Sequence, residues 1–293
     1  MNRRTFIQNS IAVTTASSLP VWGAQTPHHI DRVGLQLYTV RDQMKQDFDG
    51  TIAQVAQIGY REVEFAGYFG KTPKEARAVL DKNGLTSPST HVPYADIENK
   101  LPEALETAHI VGQKYIVCPW IDVDVRHKPD TWKRAADLFN RAGETTRKAG
   151  VQFGYHNHAF EFQPYDTLAG ETPYDFLLTK TDPKLVKMEL DLCWITVAGK
   201  DPIAYFDRYP GRFPLVHVKD WAAGTGTSLY ADAVGAPVKD GHIANVGSGT
   251  IDWKRIFAHA NKAGIKYYFV ENDEAKSMDD PRASFEYLSK LQF

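Results

Sequence analysis

The sequence predicts an α/β fold of the (β/α)8 TIM-barrel type, from three observations. Strand-like and helix-like patterns alternate to the end of the chain, which implies parallel strands joined by crossover helices. Eight βα units can be counted, with no linker or low-complexity segment between them. The 293 residues, less a leader of two dozen, suit one barrel and do not require a second domain.

In order, VGLQLYT (33–39) opens the strands, and the helical 48–59 ends on Gly59. YREVEFAG (60–67) is the second strand, followed by a helix at 72–84 with a cap-and-proline start and a glycine stop. LTSPSTH (85–91) is a weaker third strand, because Pro88 suits an edge or irregular segment. A helix at 99–112 leads to YIVCPW (115–120), and a long amphipathic helix at 130–149 to VQFGYHNH (151–158). A short helix at 172–180 precedes VKMELDL (186–192), and a helix at 201–209 precedes FPLVHVKD (213–220). A helix at 251–264, IKYYFVE (265–271) and a last helix at 281–291 complete the barrel, which spans 31–293.

Residues 1–24 have the layout of a twin-arginine export signal peptide: Arg3, Arg4 and Phe6, then a mildly apolar stretch without acids. An ordinary Sec leader or a disordered basic N-terminus is the competing interpretation; the twin-arginine reading places the mature chain in the periplasm. Loss of the leader moves the formal charge from −2 to −4, since it carries two arginines and no acid. A mildly acidic chain without a Lys/Arg cluster is a poor nucleic-acid binder. No later apolar run approaches the ~20 residues needed to cross a bilayer, so no membrane anchor is expected. Cys118 and Cys193 are expected to be buried, unpaired thiols. The sequence leaves a homo-oligomer open.

Four polar residues close four of the apolar runs: His156, Asp191, His217 and Glu271. Donors at the same end of successive parallel strands converge on one rim of a barrel, where barrel enzymes carry their chemistry. Two imidazoles and two carboxylates suit one divalent ion: manganese, cobalt, zinc or nickel. Strand parity places Glu189 below Asp191, where a lone charge needs a partner, such as a ligand imidazole that it orients. His158 shares parity with His156, and Lys219 with His217; both are candidate proton-transfer groups beside Glu271. Glu64 and His91 close the second and third strands and are expected near a substrate. Trp120, Trp194 and Trp221 follow strand ends, placed to stack on a sugar face or to plug the barrel top. The Gly- and Ala-rich stretch 221–250 is long enough to be a lid or substrate wall.

Five segments together resemble the xylose-isomerase-like TIM barrels, also called the sugar phosphate isomerase/epimerase or AP endonuclease 2 family. They are YHNHAFEF (155–162), LDLCWITVAGKDP (190–202), GRFPLVHVKDW (211–221), VGSGTIDW (246–253) and FVEND (269–273). The resemblance covers essentially the whole mature chain. It implies one divalent metal on donors from strands five to eight, which carry over to His156, Asp191, His217 and Glu271. Many ketose epimerases of that family have a glutamate at the fifth-strand position, in a pattern like L-E-N-H. Here the segment is Tyr155-His156-Asn157-His158, which leaves Glu271 as the carboxylate base and puts a symmetric two-carboxylate epimerisation in doubt.

The chemistry implied is enolisation of a keto-sugar: α-proton abstraction by Glu271 or His158, with the metal as Lewis acid and Lys219 assisting at oxygen. The expectation is a metal-dependent sugar isomerase or epimerase. A 3-keto-glycoside lyase or dehydratase acting by β-elimination at the same site is the first alternative. A non-catalytic exported carbohydrate-binding barrel is the second. A phosphorylated substrate is not expected, for want of an Arg/Lys cluster at the rim.

Overall fold

A computed structural model describes residues 28–224 and 241–293. The expected export leader therefore lies outside the described residues, as does most of the stretch expected to form a lid. The barrel strands are β1 (Val33–Gln36), β2 (Glu62–Phe65), β3 (Thr86–His91), β4 (Tyr115–Cys118), β5 (Gln152–His156), β6 (Val186–Asp191) and β7 (Leu215–Val218). The eighth barrel strand is the tenth in the chain, because β8 (Asp220–Ala223) and β9 (Gly241–Ala244) pair as an antiparallel hairpin before β10 (Tyr267–Val270). All eight barrel pairings are parallel, in the closed order β1-β10-β7-β6-β5-β4-β3-β2.

Runs such as YIVC in β4 form strands because branched and aromatic side chains pack well on a pleat covered on both faces. Local chemistry sets the helix starts. Thr72 and Glu75 form a capping box, with Pro73 in the first turn of Pro73–Lys82. Thr172 and Asp201 cap Pro173–Lys180 and Pro202–Arg208 through their side-chain oxygens. Helix Thr131–Lys148 buries Trp132 and Phe139, and Phe139 reaches Phe153 and Tyr155 of β5 with ring centroids 5.3 Å apart.

Two elements differ from the sequence expectation. β3 is a full barrel strand despite Pro88, and the irregularity falls in its pairing with β2, whose register shifts between Glu62 and Glu64. The helix expected over 251–264 is two shorter ones, Trp253–Phe257 and Ala260–Ala263; His259 between them turns its ring back to donate to the Arg255 carbonyl at 3.0 Å. Cys118 and Cys193 are buried and free, as expected.

The VGSGTIDW segment closes the base of the hairpin on one carboxylate. Asp220 Oδ1 accepts from the backbone N–H of Trp221 (2.9 Å) and Ile251 (3.2 Å), and Oδ2 from Gly247 N–H (2.9 Å) and the Trp253 indole (3.0 Å). A Cβ on Gly249 would stand 2.2 Å from Asp220 Oδ1, so no side chain fits there. No helix among the described residues is long and apolar enough to cross a membrane.

Candidate active site

Strand pairing brings the four expected donors together. Asp191 is the register partner of His217, and His217 that of Phe269, two residues before Glu271. Their donor atoms lie within 4.8 Å of one another, and all four residues are buried. His156 Nδ1 lies 3.1 Å from the Pro119 carbonyl. A carbonyl only accepts, so the ring donates there and leaves Nε2 as a bare lone pair. That Nε2 has no hydrogen-bond partner and faces Asp191 Oδ2 at 3.5 Å. Asp191 divides its oxygens in the same way. Oδ1 accepts the N–H groups of Cys193 (2.9 Å) and Trp194 (2.8 Å), while Oδ2 makes no hydrogen bond and faces His156 Nε2 and, 3.1 Å away, the Lys219 ammonium. A lone pair and a carboxylate oxygen, both dry and aimed at each other, fit a small divalent cation.

Lys219 stands behind this group with its ammonium 2.6 Å from Asp273, 2.7 Å from Glu271 and 3.1 Å from Asp191. Burial would raise the pKa of Glu271, but Lys219 and His217 overcome it and hold the carboxylate well below the usual range. Asp191 is likewise lowered against burial by Lys219 and His156. Burial, and repulsion from Glu271, push Asp273 up to about 6.

A cavity of about 490 Å³ opens onto the site, with Tyr38, His91, Trp120, His156, His158 and Glu271 in its wall. No lysine or arginine belongs to that wall among the described residues. His158 lies two residues beyond the end of β5, its backbone N–H held by Glu161 Oε2 at 2.8 Å. Its ring sits among Trp120, Phe160 and Trp194, with centroids 5.8, 5.8 and 6.0 Å away. Burial, followed by His156 and Lys219, drives its pKa well below the ordinary imidazole value, so the cavity holds a neutral imidazole.

The other expected site residues are placed as follows. His91 reaches the cavity, whereas Glu64 is fully buried beneath it, bonded to His217 Nε2 at 2.7 Å. Trp120 lines the wall. Trp194 is fully buried, and Trp221 packs beside it with Ala159 and Ile243, so these two rings support the wall from behind. Lys219 is buried behind Glu271 and is not part of the wall.

A model of the family described as "Xylose isomerase-like TIM barrel" matches residues 52–291. The chain belongs to that family. Within reach of it, the chain is 28% identical over 270 residues to an inosose dehydratase of Lacticaseibacillus casei, covering 84% of this chain and 87% of that protein. An inosose dehydratase of Geobacillus kaustophilus is 28% identical over 273 residues, covering 83% and 87%. A solved structure of a sugar phosphate isomerase/epimerase from Parabacteroides distasonis superposes with a TM-score of 0.69 at 26% identity, covering 88% of this chain and 93% of that one. It is a family of sugar-processing enzymes, and the His156, Asp191, His217 and Glu271 group is one that could hold a metal ion.

The sequence did not single out Gln36, Glu161, Asp220 or Asp273. Glu161 and Asp273 lie in the family segments YHNHAFEF and FVEND, and Asp273 continues the parity of Glu271. Asp220 lies in the family segment GRFPLVHVKDW, but its role had no local signal, because three of its four donors lie 27 to 33 residues further along the chain.

Proposed function

We propose that the chain catalyses β-elimination from an unphosphorylated keto-cyclitol or keto-sugar, releasing water or an alcohol. The carrying observation is the asymmetry of the cavity. At the strand ends it presents one carboxylate, Glu271; the other carboxylate of the wall is Asp96 on helix Tyr94–Asn99, paired with Lys100 at 3.0 Å. Where a second carboxylate base would stand on the fifth strand it presents His156 and, beyond it, the neutral imidazole of His158. Epimerisation needs two matched bases on opposite faces; elimination needs one group that takes a proton and can pass it on. The name inosose dehydratase on relatives spanning most of this chain supports the same choice. The absence of Lys and Arg from the described wall supports a substrate without phosphate.

His156, Asp191, His217 and Glu271 would hold a divalent ion, which when bound supplies a Lewis acid for a carbonyl oxygen. His158 takes the α-proton of the substrate. The electron pair of that C–H bond forms the new C=C bond, and the β C–O bond breaks towards oxygen. His158, a strong acid once protonated, returns the proton to the departing oxygen, which leaves as water or alcohol. Trp120, Phe160 and Trp194 hold the ring and keep it dry; Lys219 offsets the charge of Glu271 and Asp191. Incubation of keto-cyclitols and 3-keto-glycosides in deuterated water, followed by NMR, tests this. An enone with released water or aglycone is expected, whereas α-deuteration with retention of every oxygen substituent would make the chain an epimerase. We further propose periplasmic delivery through the twin-arginine leader. Replacing Arg3 and Arg4 by lysine should leave the precursor in the cytoplasm; unchanged periplasmic yield would assign the leader to Sec.

A further inference from the structure

Beneath the four donors of the candidate ion site lie Glu64, His91, Glu189 and His217, whose donor atoms also fall within 4.8 Å of one another. We propose that this lower group is a second divalent-cation site, sharing His217 with the upper one and taking an ion of borderline softness such as zinc(II). The pairing of the two sites rests on the upper assignment made above.

The four donor atoms form a closed ring in which oxygen and nitrogen alternate. His217 Nε2 is 2.7 Å from Glu64 Oε2 and 3.2 Å from Glu189 Oε2. His91 Nε2 is 2.7 Å from Glu189 Oε2 and 3.4 Å from Glu64 Oε2. Donors about 2.0–2.1 Å from a tetrahedral ion stand about 3.3 Å apart, close to these edges. Two nitrogens and two oxygens are also a ligand set that zinc, manganese or cobalt accepts.

Hydrogen bonds alone do not satisfy the group. Each ring nitrogen carries at most one proton but faces two carboxylate oxygens. Gln36 Nε2 donates to Glu64 Oε2 at 2.7 Å, yet the second oxygen of each glutamate, Glu64 Oε1 and Glu189 Oε1, is buried without a partner. One carboxylate is enough to orient a ligand imidazole. A second anion in the same dry space adds repulsion unless a cation, an imidazolium of His91 or His217 or a metal ion, lies between them. Both glutamates are fully buried, so solvent does not screen that repulsion. The site has an entrance, since His91 faces the cavity. His217 directs Nε2 to the lower group and Nδ1 towards Glu271 in the upper one, 2.9 Å away, so one ring serves both.

The test is zinc stoichiometry on the full-length chain, stripped with chelator and reloaded, by elemental analysis and calorimetric titration with zinc(II). Two equivalents are expected in the wild type. Glu64→Gln and His91→Gln should each weaken one of the two at least tenfold, and Asp191→Asn should remove the other. His91 borders the cavity, so its variant keeps the measurement open if Glu64→Gln does not fold. One equivalent in the wild type, lost in Asp191→Asn and kept in both lower variants, would overturn the proposal, leaving the glutamates to orient His217 and the upper site intact. Two equivalents unaffected by Glu64→Gln and His91→Gln would overturn it as well. One equivalent that survives Asp191→Asn but disappears in Glu64→Gln would overturn the paired arrangement and the upper assignment together.

Discussion

Two levels of the same barrel interior, one pleat step of about 6.6 Å apart, have opposite characters. In the lower level Tyr115, Val117, Leu215 and Phe269 form an apolar plug. One step up on β7, Leu215 gives way to His217 and then Lys219; at the end of β10, Phe269 gives way to Glu271. Both levels are dry, with Leu215, Phe269, His217 and Lys219 all fully buried. Burial therefore does not separate the part of the barrel that holds the fold from the part that does chemistry. Pairing does. The apolar plug needs no partners because its four side chains carry no charge. The groups around it set Lys219 among Asp191, Glu271 and Asp273, and His217 among Glu64, Glu189 and Glu271, five carboxylates with Glu271 shared. Charges at that depth persist only when so opposed.

The sharpest way to break this contrast is to carry a charge one step down. Phe269→Glu puts a carboxylate among Tyr115, Val117 and Leu215, where its neighbour His217 is already opposed by three carboxylates, and should cost at least about 4 kcal/mol in chemical denaturation. A loss below about 1 kcal/mol would mean that the lower level is wetter than its packing shows. The converse substitution acts on function. His158→Gln should lower α-proton exchange by about 10²–10⁴-fold while zinc uptake is unchanged. Glu271→Gln should lower both, since it removes a donor as well as the cavity carboxylate. Equal zinc loss in the two variants would show that His158 belongs to the ion site.

Glu161 tests the cost of a buried acid whose two partners, the Tyr155 hydroxyl at 2.7 Å and the His158 N–H, are both uncharged. Burial pushes its pKa from 4.5 up to about 7. The folded chain keeps this proton where the unfolded chain has lost it. Stability from this group is thus full below pH 4.5, declines as the pH rises from 4.5 to about 7, and stays low above that. The loss is on the order of 3 kcal/mol. Glu161→Gln should flatten that slope, measured by denaturation at pH 5 and pH 8; an unaltered slope would assign it to another group. The smallest effect is expected from His156→Glu. A carboxylate still fits a divalent ion, so zinc should be retained, with epimerisation rising about tenfold relative to elimination. No change in that ratio would remove the fifth-strand position as the source of the asymmetry.

The barrel was legible in sequence because most strands are short apolar runs and several helices, such as Phe48–Ile58 and Pro73–Lys82, have a capping residue at the start and a glycine just past the end, all local signals. The upper donor set was legible because parity and strand order together fix a rim. Contacts across the barrel were not. His91 meets Glu189 from a strand 98 residues away, and no local period reports that. Trp194, which follows a strand end, left two readings open, a sugar platform or a plug. It lies in the first turn of Leu192–Val197, whose N-terminus Asp191 caps, and its ring is fully buried, which suits the plug. The hairpin was hidden by its composition, since glycine and alanine carry no alternation to read.

Asp220 bears on how such a barrel can be rebuilt. The chain leaves the barrel through Ala223 and re-enters through Gly241, and these two residues are paired across the hairpin. The four N–H groups on Asp220 fix the base of that hairpin independently of what lies between. Lengthening the intervening stretch then costs little more than loop-closure entropy, about 0.6 kcal/mol for each doubling. Segments from other family members can be spliced between those two positions and selected for new substrates, while the candidate ion-binding rim below keeps its geometry.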